Sequence, residues 1–340
     1  GWPDRPGIAG PRAGGASALS LISQLEPAAF PGDFGTDSLH RFGLGRAVGG
    51  MQTLSNALGA RLTELGGEIL LSTQIKEIVA EGGRATGVRL PDGSLIKAKA
   101  VVASIHPKMA LEMVTPGALD RRLLTRIALA PANGHGASPL KVDVALRSQV
   151  QYRRHEAMRP DGLSLRKCVH LIGTVEAVLE NFRSSARGEV PKLPYMWITA
   201  PSAVDPSQAP EGQDVVYLYP VAMPVEPREG WDAIRAQLGQ QVINQASDYM
   251  DGLKAFEIGR RIEAAPDLAA RLNVHRGCVV HIDTSTTRSS LMRPAPGLGG
   301  DTLPVAGLFL GGAGIHPGGG INGLPGRIAA GRVKRFLAGS

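Results

Sequence analysis

The segment GGAGIHPGGGINGLPG, residues 311–326, constrains this chain more than any other. Eight of its sixteen residues are glycine and two are proline. It stands between an apolar run, Leu308 to Leu310, and a helix-like stretch from Arg327 to Leu337. Glycine loses more conformational freedom on folding than any other residue, so the segment makes sense where side chains must be kept away from something. A strand, a glycine loop and a helix N-terminus together present free N–H groups backed by the positive end of a helix dipole. That arrangement suits a phosphate or another electron-rich group laid against the backbone. A long flexible turn is the alternative, but Pro317 and Pro325, each fixing φ, favour order over flexibility and so a ligand.

Two familiar phosphate loops do not fit. Gly312-Ala313-Gly314 is followed by Ile315, His316 and Pro317, so the third glycine of the dinucleotide fingerprint is missing. Too little chain remains for an acidic residue about 20 positions on. GLGRAVGG, residues 43–50, follows a polar stretch rather than a buried strand, and there is no Walker lysine.

A chain of 340 residues exceeds what one hydrophobic core usually supports, so two lobes are expected. Its 44 glycines and 25 prolines suit many tight turns, because apolar periodic segments separate them. Two cysteines, Cys168 and Cys278, exclude a disulfide framework and read as buried small hydrophobes. The net charge of +7 is dispersed over short pairs such as Arg121-Arg122 and Arg260-Arg261, and aromatics are only 4%. That favours a solvated surface over nucleic-acid binding. No apolar run approaches the ~20 residues of a membrane span. A peripheral membrane contact stays open, and a cytoplasmic or peripheral location is the expectation. The opening GWPDRPG lacks a methionine, so the native N-terminus is expected to lie elsewhere.

Along the chain, a short helix is expected near 15–25. Met51, Leu54, Leu58, Leu62 and Leu65 recur at helical spacing up to Gly66-Gly67. Residues 68–73 and 75–104 then read as strands around turns at Gly82-Gly83 and Asp92-Gly93, the last strand, Ala100 to Ala103, being buried on both faces. Helices are expected near 107–115, 119–128, 174–187, 228–250 and 265–272. Strands are expected near 139–147, 168–173, 194–200 and 214–222.

The stretch VGGMQTLSNALGARLTELGGEILLSTQIKEIVAEGGRATGVRLPDGSLIKAKAVVASIHP resembles the middle of a phytoene-desaturase-like FAD-dependent oxidoreductase of the flavin amine oxidase superfamily. RPAPGLGGDTLPVAGLFLGGAGIHPGGGINGLPGRIAAG is similar to that family's C-terminal flavin motif. The resemblance implies an α/β fold: a partial FAD/NAD(P)-binding Rossmann-like domain of the glutathione-reductase type, with an α+β substrate domain. It assigns 1–48 to a connecting segment of the substrate lobe, 49–106 and 294–340 to the FAD-binding domain, and 107–293 to the substrate domain. It further implies dehydrogenation or desaturation of a hydrophobic small molecule, with amine oxidation or a non-catalytic scaffold as alternatives. The family's opening strand with G-x-G-x-x-G is missing, so the chain looks like the C-terminal two-thirds of such a protein. A companion N-terminal segment or subunit is then expected, and without it the strands near 100–103 and 308–310 should lie exposed.

Carried onto this sequence, the resemblance places Gly311, Gly312, Ala313, Gly314, His316, Gly319, Gly320 and Ile321 against FAD. It places Ile75 near the adenine edge, Ala103 and Ser104 near the diphosphate, and Gly49, Gly50 and Met51 near the flavin ring. Met51 also fits the apolar stripe of its helix. Lys141, in SPLKVDVAL, matches a lysine that holds a water at the flavin, or else points to solvent from a sheet edge. His281 and Asp283 are substrate-site candidates. His275, Cys278 and His281 have the spacing of metal ligands but lack a fourth and read as a strand, so no metal is assigned. An aromatic wall of the kind that flanks an amine substrate is not visible near the C-terminal motif.

Overall fold

The structure is a computed structural model that describes residues 47–158, 160–162, 164–167, 169–284, 288, 292–298, 303–321 and 323–339. The helix expected near 15–25, almost all of the 1–48 segment and Cys168 lie outside the described residues.

Helix α1 (Gln52–Glu64) ends where the glycine pair said it would. Gly66 takes φ +82°, and the N–H groups of Gly66 and Gly67 reach back to the carbonyls of Thr63 and Leu62 at 2.9 Å each. This is the doubly bonded left-handed cap that glycine permits. Three antiparallel strands follow: β1 (Glu77–Glu81), β2 (Arg84–Arg89) and β3 (Leu95–Lys97). Gly82 and Gly83, both at positive φ, form the two-residue turn between the first pair. Residues 68–73, expected to be a strand, pair with nothing among the described residues and form no strand. Ile75 precedes β1 rather than starting a strand.

Strand β4 (Val101–Ala103) pairs in parallel with β12 (Leu308–Leu310), across more than 200 positions of sequence. Helices α2 (Pro107–Glu112) and α3 (Arg121–Ala128) pack on this pair. Ala110, Leu111, Leu123 and Ile127 share one core with Ile78, Ala85, Leu308, Leu310 and Ile315. Helix α8 (Leu324–Ala338) closes the chain, with Phe336 edge-on to Phe309.

A second core lies under a five-stranded antiparallel sheet of order β11-β6-β9-β8-β7. Its strands are β6 (Lys141–Leu146), β7 (Val169–Leu171), β8 (Met196–Thr199), β9 (Asp214–Pro220) and β11 (Glu257–Glu263). A two-stranded ribbon joins β5 (Ala137–Ser138) to β10 (Met223–Pro224), and a short α4 spans Arg153–Glu156. Helices α5 (Val175–Ala186), α6 (Trp231–Ser247) and α7 (Ala265–Leu272) complete the lobe. Alternation decides which face of the sheet is covered. Val142, Val144, Leu146, Val216, Leu218, Met196 and Ile198 point into the core shared with Leu238, Val242 and Ile243 of α6. The intervening residues of β6 and β9 are half-buried or exposed. Among the described residues no helix is long and apolar enough to cross a membrane.

The expectation for the two strands near the missing fingerprint is half corrected. Leu308, Phe309 and Leu310 are buried, because Val305, Ile315 and Phe336 pack on and beside them. Val102 is the exposed one, at 46%, so β4 is not buried on both faces. The apolar stripe of α1 is bare as well. Met51, Leu54, Leu58, Leu62 and Leu65 are all between 43% and 69% exposed, so Met51 is not a core residue. Leu111→Ala, at 1% exposure, is therefore expected to destabilise the chain by about 2–5 kcal/mol. Leu58→Gln should change stability by no more than about 0.5 kcal/mol. Urea melts of both variants check this; equal losses would mean that the stripe is covered.

Candidate functional site

The glycine loop leaves β12 through Gly311, whose N–H donates to the Ala103 carbonyl at 2.8 Å. Two glycines are required by the protein's own packing. Gly312 sits at φ +73°, and a Cβ there would lie 2.5 Å from the Ser104 carbonyl oxygen. A Cβ on Gly314 would lie 2.4 Å from the Pro107 ring, at the start of α2. Gly319 differs: its nearest neighbours would be the Ala313 methyl at 3.4 Å and Val280 at 4.0 Å, which is ordinary contact. Gly318 and Gly320 take φ of +117° and +127°, and Ile321 follows at +58° with its side chain exposed. His316 is half-buried beside them.

The N–H groups of Gly312, Ala313 and Gly314 donate to no protein acceptor among the described residues, although Gly314 is buried. Buried backbone donors are nearly always paired. Three unpaired donors in succession are of the kind that holds an electron-rich ligand. The loop therefore fits such a group, for a reason beyond its glycine count.

His281 borders the loop, with its Cβ 3.4 Å from where a Cβ on Gly314 would stand. It takes φ +64°, and its Nδ1 has no partner among the described residues. Burial, then the nearby Arg293 charge, lowers its pKa, so the ring is neutral at neutral pH. Its neighbour His106, 5.9 Å away between ring centres, caps α2 by accepting the Lys108 N–H at Nδ1. Burial first, then His275 and His281, push His106 down to about 4. Asp283 is committed elsewhere: its two oxygens accept the N–H groups of Asn133 and Gly134 at 2.7 Å each. It ties the two segments together and is not a free substrate-binding carboxylate.

The 275–281 stretch is a 3-10 turn at His275–Gly277 followed by further turns, not a strand. Left-handed φ at Arg276, Gly277 and His281 breaks any alternation that CVV suggested. His275 packs edge-on against His106, while the Cys278 sulfur faces Asp283 at 3.7 Å. Burial and then the Asp283 charge push the Cys278 thiol up to about 11. Because a raised pKa disfavours thiolate, only about a thousandth is reactive at pH 8. Cys278 is expected to resist iodoacetamide in the folded chain and to react after denaturation, read by peptide mass; rapid labelling of the native protein would contradict this.

Lys141 lies on central strand β6, so it is not an edge residue. It is half-buried, ion-paired with Asp143, 5.4 Å over the Tyr217 ring, and opposite Glu263 in register. The sheet face it occupies carries what the sequence reading missed. His170 stacks on Trp197 at 5.5 Å, Trp197 tilts against Tyr219 at 5.8 Å, and Tyr219 stacks on Tyr217 at 5.2 Å. These side chains come from β7, β8 and β9, whose registers set His170 opposite Trp197 and Trp197 opposite Tyr219. Tyr219 is buried enough for its hydroxyl to be pushed up to about 12. An aromatic wall therefore exists, on the sheet rather than near the C-terminal motif. The alternation in VYLYP and in YMWI carried the signal.

The structure gathers Ala103, Gly311 to Gly314 and His281 at one place. It keeps others apart. The Gly49 N–H donates to Asp205 at 2.7 Å, and a Cβ on Gly50 would meet Gln208 at 3.0 Å, so this pair docks on the second lobe. No hydrogen bond or ion pair joins Lys141 to residues 311–321 among the described residues.

Comparison with known proteins identifies the family. The family described as flavin containing amine oxidoreductase matches residues 14–333. Pyridine nucleotide-disulfide oxidoreductase domain-containing protein 2 of Mus musculus is 28% identical over 303 residues, covering 85% of this chain and 51% of its own length. The neurosporene-forming phytoene desaturase of Cereibacter sphaeroides is 28% identical over 345 residues, covering 95% of this chain and 56% of its own. The chain thus spans about half the length of the curated relatives it matches. Among solved structures, an oxidoreductase from Methanosarcina mazei shares the fold, with a TM-score of 0.51 at 13% identity over 86% of this chain and 55% of that one.

Proposed function

Because this chain belongs to the flavin-containing amine oxidoreductase family, whose cofactor is FAD, we propose that it takes part in FAD-dependent dehydrogenation of a hydrophobic substrate. The aromatic ladder of His170, Trp197, Tyr219 and Tyr217 is the observation that carries the substrate class. Stacked rings on a half-covered sheet face offer an apolar surface beside the Lys141–Asp143 pair, suited to an extended or conjugated carbon chain. Relatives named phytoene desaturases support that choice.

In this reading Gly311, Gly312, Ala313, Gly314, His316, Gly319, Gly320 and Ile321 hold the flavin, with Ala103 and Ile75 toward the rest of FAD and Gly49, Gly50 and Met51 beside the ring. Bound FAD supplies the acceptor for two electrons and one proton from a substrate C–H, a second proton leaving to solvent. The chain's own residues bind and orient. The free N–H groups of 312–314 favour negative charge at the loop. Lys141 supplies a cation, and its ion pair with Asp143 holds it in place. His281 and His106 stay neutral and line the loop without adding charge. The domain layout expected from the resemblance, a Rossmann-like FAD lobe and an α+β substrate lobe, belongs to the same proposal. So does a companion segment packing on the bare stripe of α1, which the exposed Leu58, Leu62 and Leu65 support.

The test is anaerobic bleaching of bound flavin. A C40 polyene such as phytoene is expected to bleach it, and alkyl amines are not. Bleaching by amines alone would make the chain an amine oxidase; bleaching by neither would remove the enzymatic reading in favour of a scaffold.

A further inference from the structure

Arg293 is the largest fully buried side chain of the described residues, at 1% exposure. Guanidinium groups are rarely hidden without a carboxylate fork to meet them. This one meets carbonyls. Its Nη2 donates to Val280 and Ile282 at 2.6 Å each, its Nε to Ala313 at 2.9 Å, and its Nη1 makes longer contacts to Asp283 and Arg288 carbonyls at 3.5 and 3.4 Å. Burial pulls its pKa down to about 10, with Cys278 and Asp283 acting in the opposite sense, so it stays charged at neutral pH.

The choice of carbonyls has a consequence for the loop. A trans peptide is planar, with its C=O and N–H pointing in opposite directions. Drawing the Ala313 oxygen toward Arg293 therefore turns the Gly314 N–H the other way. Gly314 is one of the three consecutive residues whose N–H groups have no protein acceptor among the described residues. The same guanidinium fixes the 280–282 turn, and with it His281 against Gly314. A Lys could supply the charge but not the fork, which grips two segments at once.

We propose that Arg293 is a positioning residue that sets the Ala313–Gly314 peptide so that the free N–H groups of the glycine loop face the flavin. It touches no reacting atom and acts through the Ala313 carbonyl. The role rests on the flavin reading above. A purely structural Arg293 would stabilise the fold without setting the orientation of the loop.

The experiment compares Arg293→Met and Arg293→Lys with Leu123→Ala, a core change on helix α3 of the same lobe that lowers the melting temperature and lies outside the loop sequence. FAD affinity is read by flavin fluorescence titration, and loop order by amide deuterium exchange of residues 311–316 in chain without FAD. Losing charged hydrogen bonds of this kind predicts FAD binding ~10- to 100-fold weaker in Arg293→Met, with Arg293→Lys in between. Exchange at 311–316 should quicken by ~10-fold or more while β1–β3 exchange as before. Leu123→Ala should keep FAD affinity within about twofold. The proposal is overturned if the Arg293 variants lose affinity only as much as Leu123→Ala does, or if 311–316 exchange at wild-type rates. Should the wild-type chain bind no FAD, the flavin reading falls. The exchange arm then decides by itself whether Arg293 orders the loop, and Arg293→Lys serves if Arg293→Met does not fold.

Discussion

Gly319→Leu is expected to weaken FAD binding by at least ~100-fold, about 2.7 kcal/mol, while the fold survives. The contrast among the loop glycines makes this a clean test. Gly312 cannot carry a side chain, because its left-handed φ and the Ser104 oxygen 2.5 Å from a Cβ forbid one. A bulky residue there would part β12 from the end of β4, and folding and binding would be lost together. Gly314 is blocked in the same way by Pro107. Gly319 has room for a Cβ, with Ala313 at 3.4 Å and Val280 at 4.0 Å. Gly319→Ala should then bind FAD within about twofold of wild type, whereas the branched end of a leucine must extend into the space assigned to the ring. Stability should fall by no more than about 1 kcal/mol in either variant. Fluorescence titration with FAD, alongside a thermal melt, reads both quantities. A leucine variant that holds FAD as tightly as wild type would remove Gly319 from the cofactor site.

Lys141→Met is expected to slow flavin reduction or reoxidation by ~100-fold, the size of effect that follows loss of one charge-stabilising donor. The stability loss should stay within about 1 kcal/mol, because the Lys141–Asp143 pair is partly open to solvent. Glu263, opposite Lys141 in the register, keeps its own partners, Arg261 at 2.8 Å and Arg271 at 2.7 Å. Burial pushes the Glu263 carboxyl up, yet these arginines and Lys141 bring its pKa below the usual value, so it stays ionised. The methionine therefore strands no buried charge apart from the half-exposed Asp143. Stopped-flow traces of both half-reactions check the expectation. Unchanged rates in both would leave Lys141 as a sheet residue that pairs with Asp143 and covers Tyr217.

Much of the chain was legible from local pattern. Helix α7 at Ala265–Leu272 falls where 265–272 was expected, and α3 and α5 lie within their expected bounds. Strands β6 to β9 fall inside the apolar alternations that announced them. The glycine turns between β1 and β2 and after α1 were equally plain, because positive φ leaves a mark in the residue type. Such features depend on neighbours one to four positions away, and sequence by itself fixes those.

What tertiary structure decided depends on partners far along the chain. EIGRRIE at 257–263 reads as polar, yet it is edge strand β11 because β6 supplies its hydrogen bonds from Lys141 to Leu146. Residues 68–73 have the opposite history: strand-like in composition, they lack a described neighbour and form none. The aromatic ladder could not be read from 170, 197, 217 and 219 separately, since antiparallel register sets His170 beside Trp197 and Trp197 beside Tyr219, while only Tyr217 and Tyr219 share a strand. Nothing local in the sequence sets Arg293 apart, and only folding wraps carbonyls from residues 280, 282 and 313 around it. The sequence determined where the glycine loop is and that side chains are unwelcome there. Packing against Ser104 and Pro107 decided that Gly312 and Gly314 serve the fold, and left Gly319, which has room for a Cβ, able to report on a ligand.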